Sequence, residues 1–247
     1  MSYDTVFKVT QLDASCWQIE EEYTRSFLLV GTQRALLIDT GLGTGNLREV
    51  VESLTDLPVT LVNTHADHDH MGGNRYFDKA YMHPAEYCMY KKEATRETCP
   101  PIPLWEGTRF DLGGRVIEAI LTPGHTPGSL AFFDEGNRVL FGGDGVQAGV
   151  VYMFGYGRDM ESYIASMERL EALIPKVDVI YAPHGPTPLE PGILTKLREG
   201  AQAVLRGEVP SEEIRALDTD VLSYDVGVAT ILGNKYPVLN FFPGPDW

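Results

Sequence analysis

Residues 63–74 read Asn-Thr-His-Ala-Asp-His-Asp-His-Met-Gly-Gly-Asn, "NTHADHDHMGGN". Three of the chain's six histidines and two aspartates fall between positions 65 and 70. Imidazole nitrogen suits zinc and iron, and carboxylate oxygen suits harder cations. Side chains alternate along extended backbone, so His65 and Asp67 point the same way. A turn at Asp69 and His70 then aims that pair at a second point. Gly72 and Gly73 let the following helix approach closely, because no Cβ intervenes.

Three further segments share this design, a strand end followed by Gly or Pro. "LTPGHTPGS" holds His125, "LFGGDG" holds Asp144 and "YAPHGPTP" holds His184. In layered α/β architectures, loops at strand ends project side chains into a common cleft. A lone histidine is more often a surface or capping residue. So many candidates in Gly- and Pro-framed loops instead form a constellation suited to one or two divalent metals. His83, ahead of Pro84 at a helix start, reads as structural.

The surrounding chain supplies a scaffold. "FKVT", "CWQIEEEYTRSFLLVG" and "RALLID" read as a strand meander, and "NLREVVESL" has helical periodicity. "VTLVNT" is a strand that ends at the cluster. "GGNRYF" opens a short helix, "KAYMHP" is a strand and "PAEYCMYKK" starts a helix. Residues 94–107 read as a loop. Then come strands "TRFDLGG", "RVIEAILTPG", "SLAFFDE" and "NRVLFGGD", a helix over 159–173, strand "VDVIYAPHG" and helix "PGILTKLREGAQAVLRG". The tail, "VGVATILGNKYPVLNFF", reads as a last strand and an extended end. No linker divides the chain, so residues 1–247 are expected to form a single domain.

The 247 residues are 43% hydrophobic and 22% charged, which is ordinary for a globular protein. A formal net charge of −15 argues against nucleic acid as the main ligand, since that needs a basic surface. A small-molecule substrate stays open, because a local metal site outweighs the global field. No apolar run of about 18 residues predicts a membrane span. The start, "MSYDTVFKVT", lacks the features of a signal peptide, so a cytoplasmic location is expected. Cys16, Cys88 and Cys99 have no recognised spacing and are expected to be reduced. The sequence leaves a homo-oligomer open.

With "LLIDTG" at 36–41, the His/Asp cluster, "TPGHTPGS", "FGGD" and "PHGP" in this order, the chain resembles the metallo-β-lactamase superfamily over nearly its whole length. The resemblance implies an α/β fold, a four-layer αββα sandwich, with a dinuclear site at one edge. The family's pattern is His-x-His-x-Asp-His, followed by His, Asp and His. Matched position by position, it gives His65 and His125 to one metal and Asp69, His70 and His184 to the other, with Asp144 bridging both. It makes Asp39 a buried acid that orients ligands. "GLGTGN" at 41–46 lacks the full spacing of a nucleotide-binding loop.

The chain departs from the pattern at Asp67, where the family has its second histidine. Either Asp67 is the ligand, or a local shift brings in His68. Asp67 is the favoured reading because it keeps Asp69 and His70 in register, and it places His68 beside the site. Zinc is the first expectation for both metals, with iron or manganese as alternatives. With histidine at 67, two metals, two aspartates and a hydroxide would leave one net positive charge. With Asp67 the sum is zero. Asp67→His is therefore expected to hold zinc more tightly and to move the pH–rate profile to lower pH.

A water between two divalent metals becomes a nucleophile near neutral pH. The resulting expectation is hydrolysis of an ester, thioester, lactone or phosphoester, with Asp69 orienting the hydroxide and passing on a proton. The stretch "GVQAGVVYMFGYGR" reads as bordering the cleft, with Tyr152, Phe154 and Tyr156 as wall or lid residues or equally as core, and Trp105 as an opposite wall. Secreted β-lactamases are set aside, because they often carry Cys where Asp144 stands and begin with signal peptides. RNA-processing nucleases are set aside because they bring basic surfaces and extra domains. The redox alternatives are a flavodiiron-like oxygen or nitric oxide reductase without its flavin domain, and a mononuclear-iron persulfide dioxygenase. A non-catalytic metal-binding protein is the remaining class.

Overall fold

The computed structural model describes residues 6–93 and 99–235. The first strands are β1 (Phe7–Asp13), β2 (Cys16–Glu21), β3 (Thr24–Val30) and β4 (Ala35–Ile38). Helix α1 (Leu47–Leu54), β5 (Val59–Val62), α2 (His68–Met71), β6 (Ala80–Met82), α3 (Tyr87–Glu93) and β7 (Pro101–Pro103) follow. Next come β8 (Arg109–Asp111), β9 (Val116–Leu121), β10 (Leu130–Asp134), β11 (Val139–Phe141) and β12 (Val150–Met153). The chain continues through α4 (Met160–Glu171), β13 (Val179–Tyr181), α5 (Ile193–Leu205), β14 (Ser211–Ala216), β15 (Thr219–Asp225) and β16 (Thr230–Asn234).

Strands β1 to β7 form one sheet in chain order, and the second sheet runs β13-β11-β10-β9-β8. The segment "ALLI" at β4 is buried at all positions because both faces are covered. Leu36 and Ile38 join Phe132 and Phe141 of the second sheet in the core between sheets. Ala35 and Leu37 join Leu47, Val50 and Val51 of α1 on the outer face. On the far side, Ala131 and Leu140 of the second sheet pack with Met167 and Leu170 of α4 and Leu194 and Leu197 of α5. The order is thus helix, sheet, sheet, helix, the expected αββα sandwich. Each fully buried Leu or Phe contributes roughly 1.5–3 kcal/mol.

The structure departs from the sequence reading in three places. A third sheet, β12-β16-β15-β14, contains strands that were not anticipated at β12, β14 and β15. The stretch 94–107 carries β7 paired with β6, while residues 94–98 and the tail from 236 lie outside the described residues. The helix after the cluster begins within it, at His68, and Gly72–Tyr76 is a 3-10 turn. No helix among the described residues is long and apolar enough to cross a membrane.

Candidate metal centre

Strands β5, β9, β11 and β13 all release their loops at one edge of the sandwich. The loop after β5 brings His65, Asp67, Asp69 and His70, and those after β9, β11 and β13 bring His125, Asp144 and His184. Glycine is needed where these loops crowd. A Cβ on Gly72 would lie 2.1 Å from the Leu42 carbonyl oxygen, and one on Gly73 would lie 2.6 Å from that of Thr40. Glu86 ties two loops together from a site 1% exposed. Its carboxylate accepts from Ala66 N at 2.9 Å and from Gly128 N at 2.7 Å.

Three sets of ligand atoms gather within 4.8 Å of one another: His65, Asp67 and His125; Asp69, His70 and His184; and His65, His70 and Asp144. Asp144 stands between the first two. Its Oδ1 is 3.0 Å from His70 Nε2 and 3.3 Å from His184 Nε2, and its Oδ2 is 3.6 Å from His125 Nε2. Asp67 Oδ2 lies 3.2 Å from His125 Nε2 and 3.4 Å from His65 Nε2.

Each imidazole is fixed through Nδ1, which leaves Nε2 facing inward. His125 Nδ1 meets the Tyr152 carbonyl at 2.9 Å, and His184 Nδ1 meets that of Tyr23 at 2.9 Å. His70 Nδ1 meets Asp39 Oδ2 at 2.9 Å. Asp39 also accepts from Thr64 N at 2.7 Å and from Thr64 Oγ1 at 2.8 Å. That hydroxyl in turn lies 2.9 Å from His65 Nδ1. Asp39 holds this position in left-handed backbone, at φ 62°, a conformation that aspartate tolerates better than most residues.

Protons and cations compete for these atoms. Burial alone would push His184 down, but Asp144 and Asp69 outweigh it and hold its pKa up at about 10. His70 is likewise held well above its usual range by Asp144, Asp69 and Asp39 against the opposing effect of burial. Burial would raise Asp144 and Asp67. His70 and His184 instead hold Asp144 well below the carboxylate range, and His65 and His125 do the same for Asp67.

The donor set fits divalent cations. Imidazole and carboxylate are mixed, one carboxylate reaches both groups, and His65 Nε2 is buried without a hydrogen-bond partner among the described residues. His68 belongs to none of the three groups and is exposed, because α2 starts there.

A cavity of about 610 Å³ opens over the centre, lined among others by Tyr23, Gln147, Tyr152, Phe154, Arg158 and Leu217. Tyr156 and Trp105 are not among the residues that line this cavity. Tyr156 is 52% exposed. Trp105 packs edge-on against His83, with ring centroids 5.3 Å apart. Four of these lining residues were not singled out in the sequence: Tyr23, Gln147, Arg158 and Leu217. Arg158 Nη2 contacts Asp67 Oδ2 at 2.5 Å. Nothing local marks this arginine, since its partner is 91 residues away.

Comparison with known proteins identifies the family. The family model for the metallo-beta-lactamase superfamily matches residues 19–184. The chain belongs to that superfamily and is a metallo-hydrolase within it. It is 30% identical over 222 residues to the hydroxyacylglutathione hydrolase of Hahella chejuensis, covering 83% of this chain and 79% of that one. It is 28% identical over 188 residues to the human acyl-coenzyme A thioesterase MBLAC2, covering 60% of this chain and 67% of that one. A metallo-beta-lactamase from Pontibacter korlensis superposes with a TM-score of 0.67 at 22% identity, covering 79% of this chain and 99% of that one.

Proposed function

We propose that this protein hydrolyses an acyl thioester, or a closely related acyl ester, of a small molecule at a centre of two divalent cations. The observation that carries the reading is the convergence of seven ligand-type side chains beside one cavity, which Asp67, Asp69, His125, Asp144 and His184 line, with Asp144 between two groups of three. Of the two named relatives, one is an acyl-coenzyme A thioesterase and the other a hydroxyacylglutathione hydrolase, and an acyl group carried on a thiol is a thioester. His65, Asp67 and His125 would hold one cation, and Asp69, His70 and His184 the other. Such cations, zinc first, supply an activated water and polarise the bond under attack. Asp69, whose Oδ2 lies 3.2 Å from His184 Nε2, would orient an attacking water and take up its proton. Tyr152, Phe154 and Leu217 offer apolar contact to the acyl group.

The test combines elemental analysis with turnover of a panel of short acyl thioesters, acyl esters, lactones and phosphoesters. The expected result is about two cations per chain and the highest kcat/KM on thioesters, lost with a chelator. Preference for a phosphoester would overturn the substrate class. Oxygen consumption by an iron-loaded sample without hydrolysis would replace hydrolysis with the redox reading.

A further inference from the structure

Asp67 puts a negative charge where the family pattern has a neutral imidazole. Its surroundings answer that charge. Arg158 is drawn in from the segment between β12 and α4, and its side chain is only 10% exposed. Nη2 lies 2.5 Å from Asp67 Oδ2, while Nη1 makes a long contact of 3.5 Å to the Tyr156 carbonyl. Nε is buried without a hydrogen-bond partner among the described residues. The neighbouring Asp159 spends its carboxylate on Ser162 N, capping α4 at 2.7 Å. A guanidinium buried with an unused donor is costly. Pairing with Asp67 is the contact that offsets this cost.

The oxygen that Arg158 grips is also the one facing His65 and His125. A carboxylate oxygen has two lone pairs, so one can meet the guanidinium and the other a cation. From this we infer that Arg158 is a positioning residue: Asp67 and Arg158 act as one neutral unit that replaces a histidine in charge. The inference rests on the reading of Asp67 as a cation ligand. It reverses what the sequence alone suggested for Asp67→His. With Arg158 in place, that substitution removes the negative partner and leaves an unopposed positive charge beside the cation. It therefore weakens binding. Arg158→Met does the opposite, since it removes a like charge from the cation's side.

The experiment is a zinc titration against a chromophoric chelator, run on the full chain and four variants. For the weaker-bound equivalent, Arg158→Met should tighten binding by about tenfold and Asp67→His should weaken it by about tenfold. Arg158→Lys, which keeps the charge, should stay within about threefold of the parent. In the Arg158→Met background, Asp67→His should lose most of its penalty. A disrupted fold cannot produce the gain in Arg158→Met or the rescue in the double variant. Weakening by Arg158→Met together with an unchanged penalty for Asp67→His would overturn the pairing. If the parent held one cation and Arg158→Met held two, the pairing would stand and the two-cation reading of the parent would fall. If no variant bound zinc, both would fall.

Discussion

On one side of Asp144, His70 leans on the carboxylate of Asp39; on the other, Asp67 leans on the guanidinium of Arg158. Each side offers three ligand atoms at similar spacing. What differs is the sign of the charge behind them. Asp39 enriches His70 as a donor, and Arg158 draws charge away from Asp67. Equal ligand counts therefore do not make equal sites, and the Asp69, His70, His184 side should bind the more firmly.

The largest blow to this asymmetry should come from Asp144, which serves both sides. Asp144→Ala is expected to lower kcat/KM by a thousandfold or more, since metal catalysis is worth several kcal/mol, about 4 here. Cation content should fall on both sides, as elemental analysis would show. A variant retaining two firmly held cations would remove Asp144 from between them. His184→Ala should strip only its own side and leave about one cation per chain. If the remaining cation proved as weakly held as the weaker of the parent's two, the sides would be ranked correctly. If it were held as firmly as the parent's tighter one, the ranking would invert.

Asp39→Asn should weaken the firmer side by roughly 10–100-fold, the usual cost of losing an orienting partner. An effect confined to the weaker-bound equivalent would contradict the leaning of His70 on Asp39.

A pH dependence follows from the raised imidazoles. A group whose folded pKa is raised stabilises the fold fully below its ordinary value of 6.5, and that contribution is lost as pH climbs through the folded value, about 10 for His184. The chelated protein should therefore melt at a lower temperature at the upper end of that window than at pH 6.5. Asp67, Asp69 and Asp144 are depressed, so their contributions fade only at acid pH and stay level across the window. Zinc affinity should move the other way. It should rise roughly tenfold per pH unit for each displaced proton. Melting curves of chelated and zinc-loaded samples check both directions.

The smallest effect is expected at the cavity mouth. Leu217 is 78% exposed at the tip of the β14–β15 hairpin and also lines the cavity. Leu217→Ser should raise KM for an apolar acyl substrate by about threefold and leave melting unchanged. An unaltered KM would remove the hairpin from the substrate's path.

The sandwich was legible because burial wrote itself into the sequence. Segments such as "ALLI" are apolar throughout when both faces are covered. The seven ligand-type residues were legible because loops at strand ends need Gly and Pro beside them. The third sheet was not. Strand β14, "SEEIRA", is exposed at nearly every position, so it buries no alternate face and carries no period-two signal. Trp105 looked like a wall only because its partner, His83, lies on a different loop. Arg158 was invisible because an ion pair across 91 residues leaves no local pattern.

Glu86 has a consequence for how the molecule is made. During synthesis its carboxylate can find Ala66 N early, but Gly128 N emerges from the ribosome only later. Until the second sheet docks, one oxygen of a group destined for burial lacks its donor, and burying it would be costly. His125, Asp144 and His184 arrive in the same late stretch. A half-made chain therefore owns a cluster of histidines but no finished centre. All seven ligand-type residues are in place only once the chain past His184 has been made, and a cation that binds the folded chain alone would stabilise it by mass action.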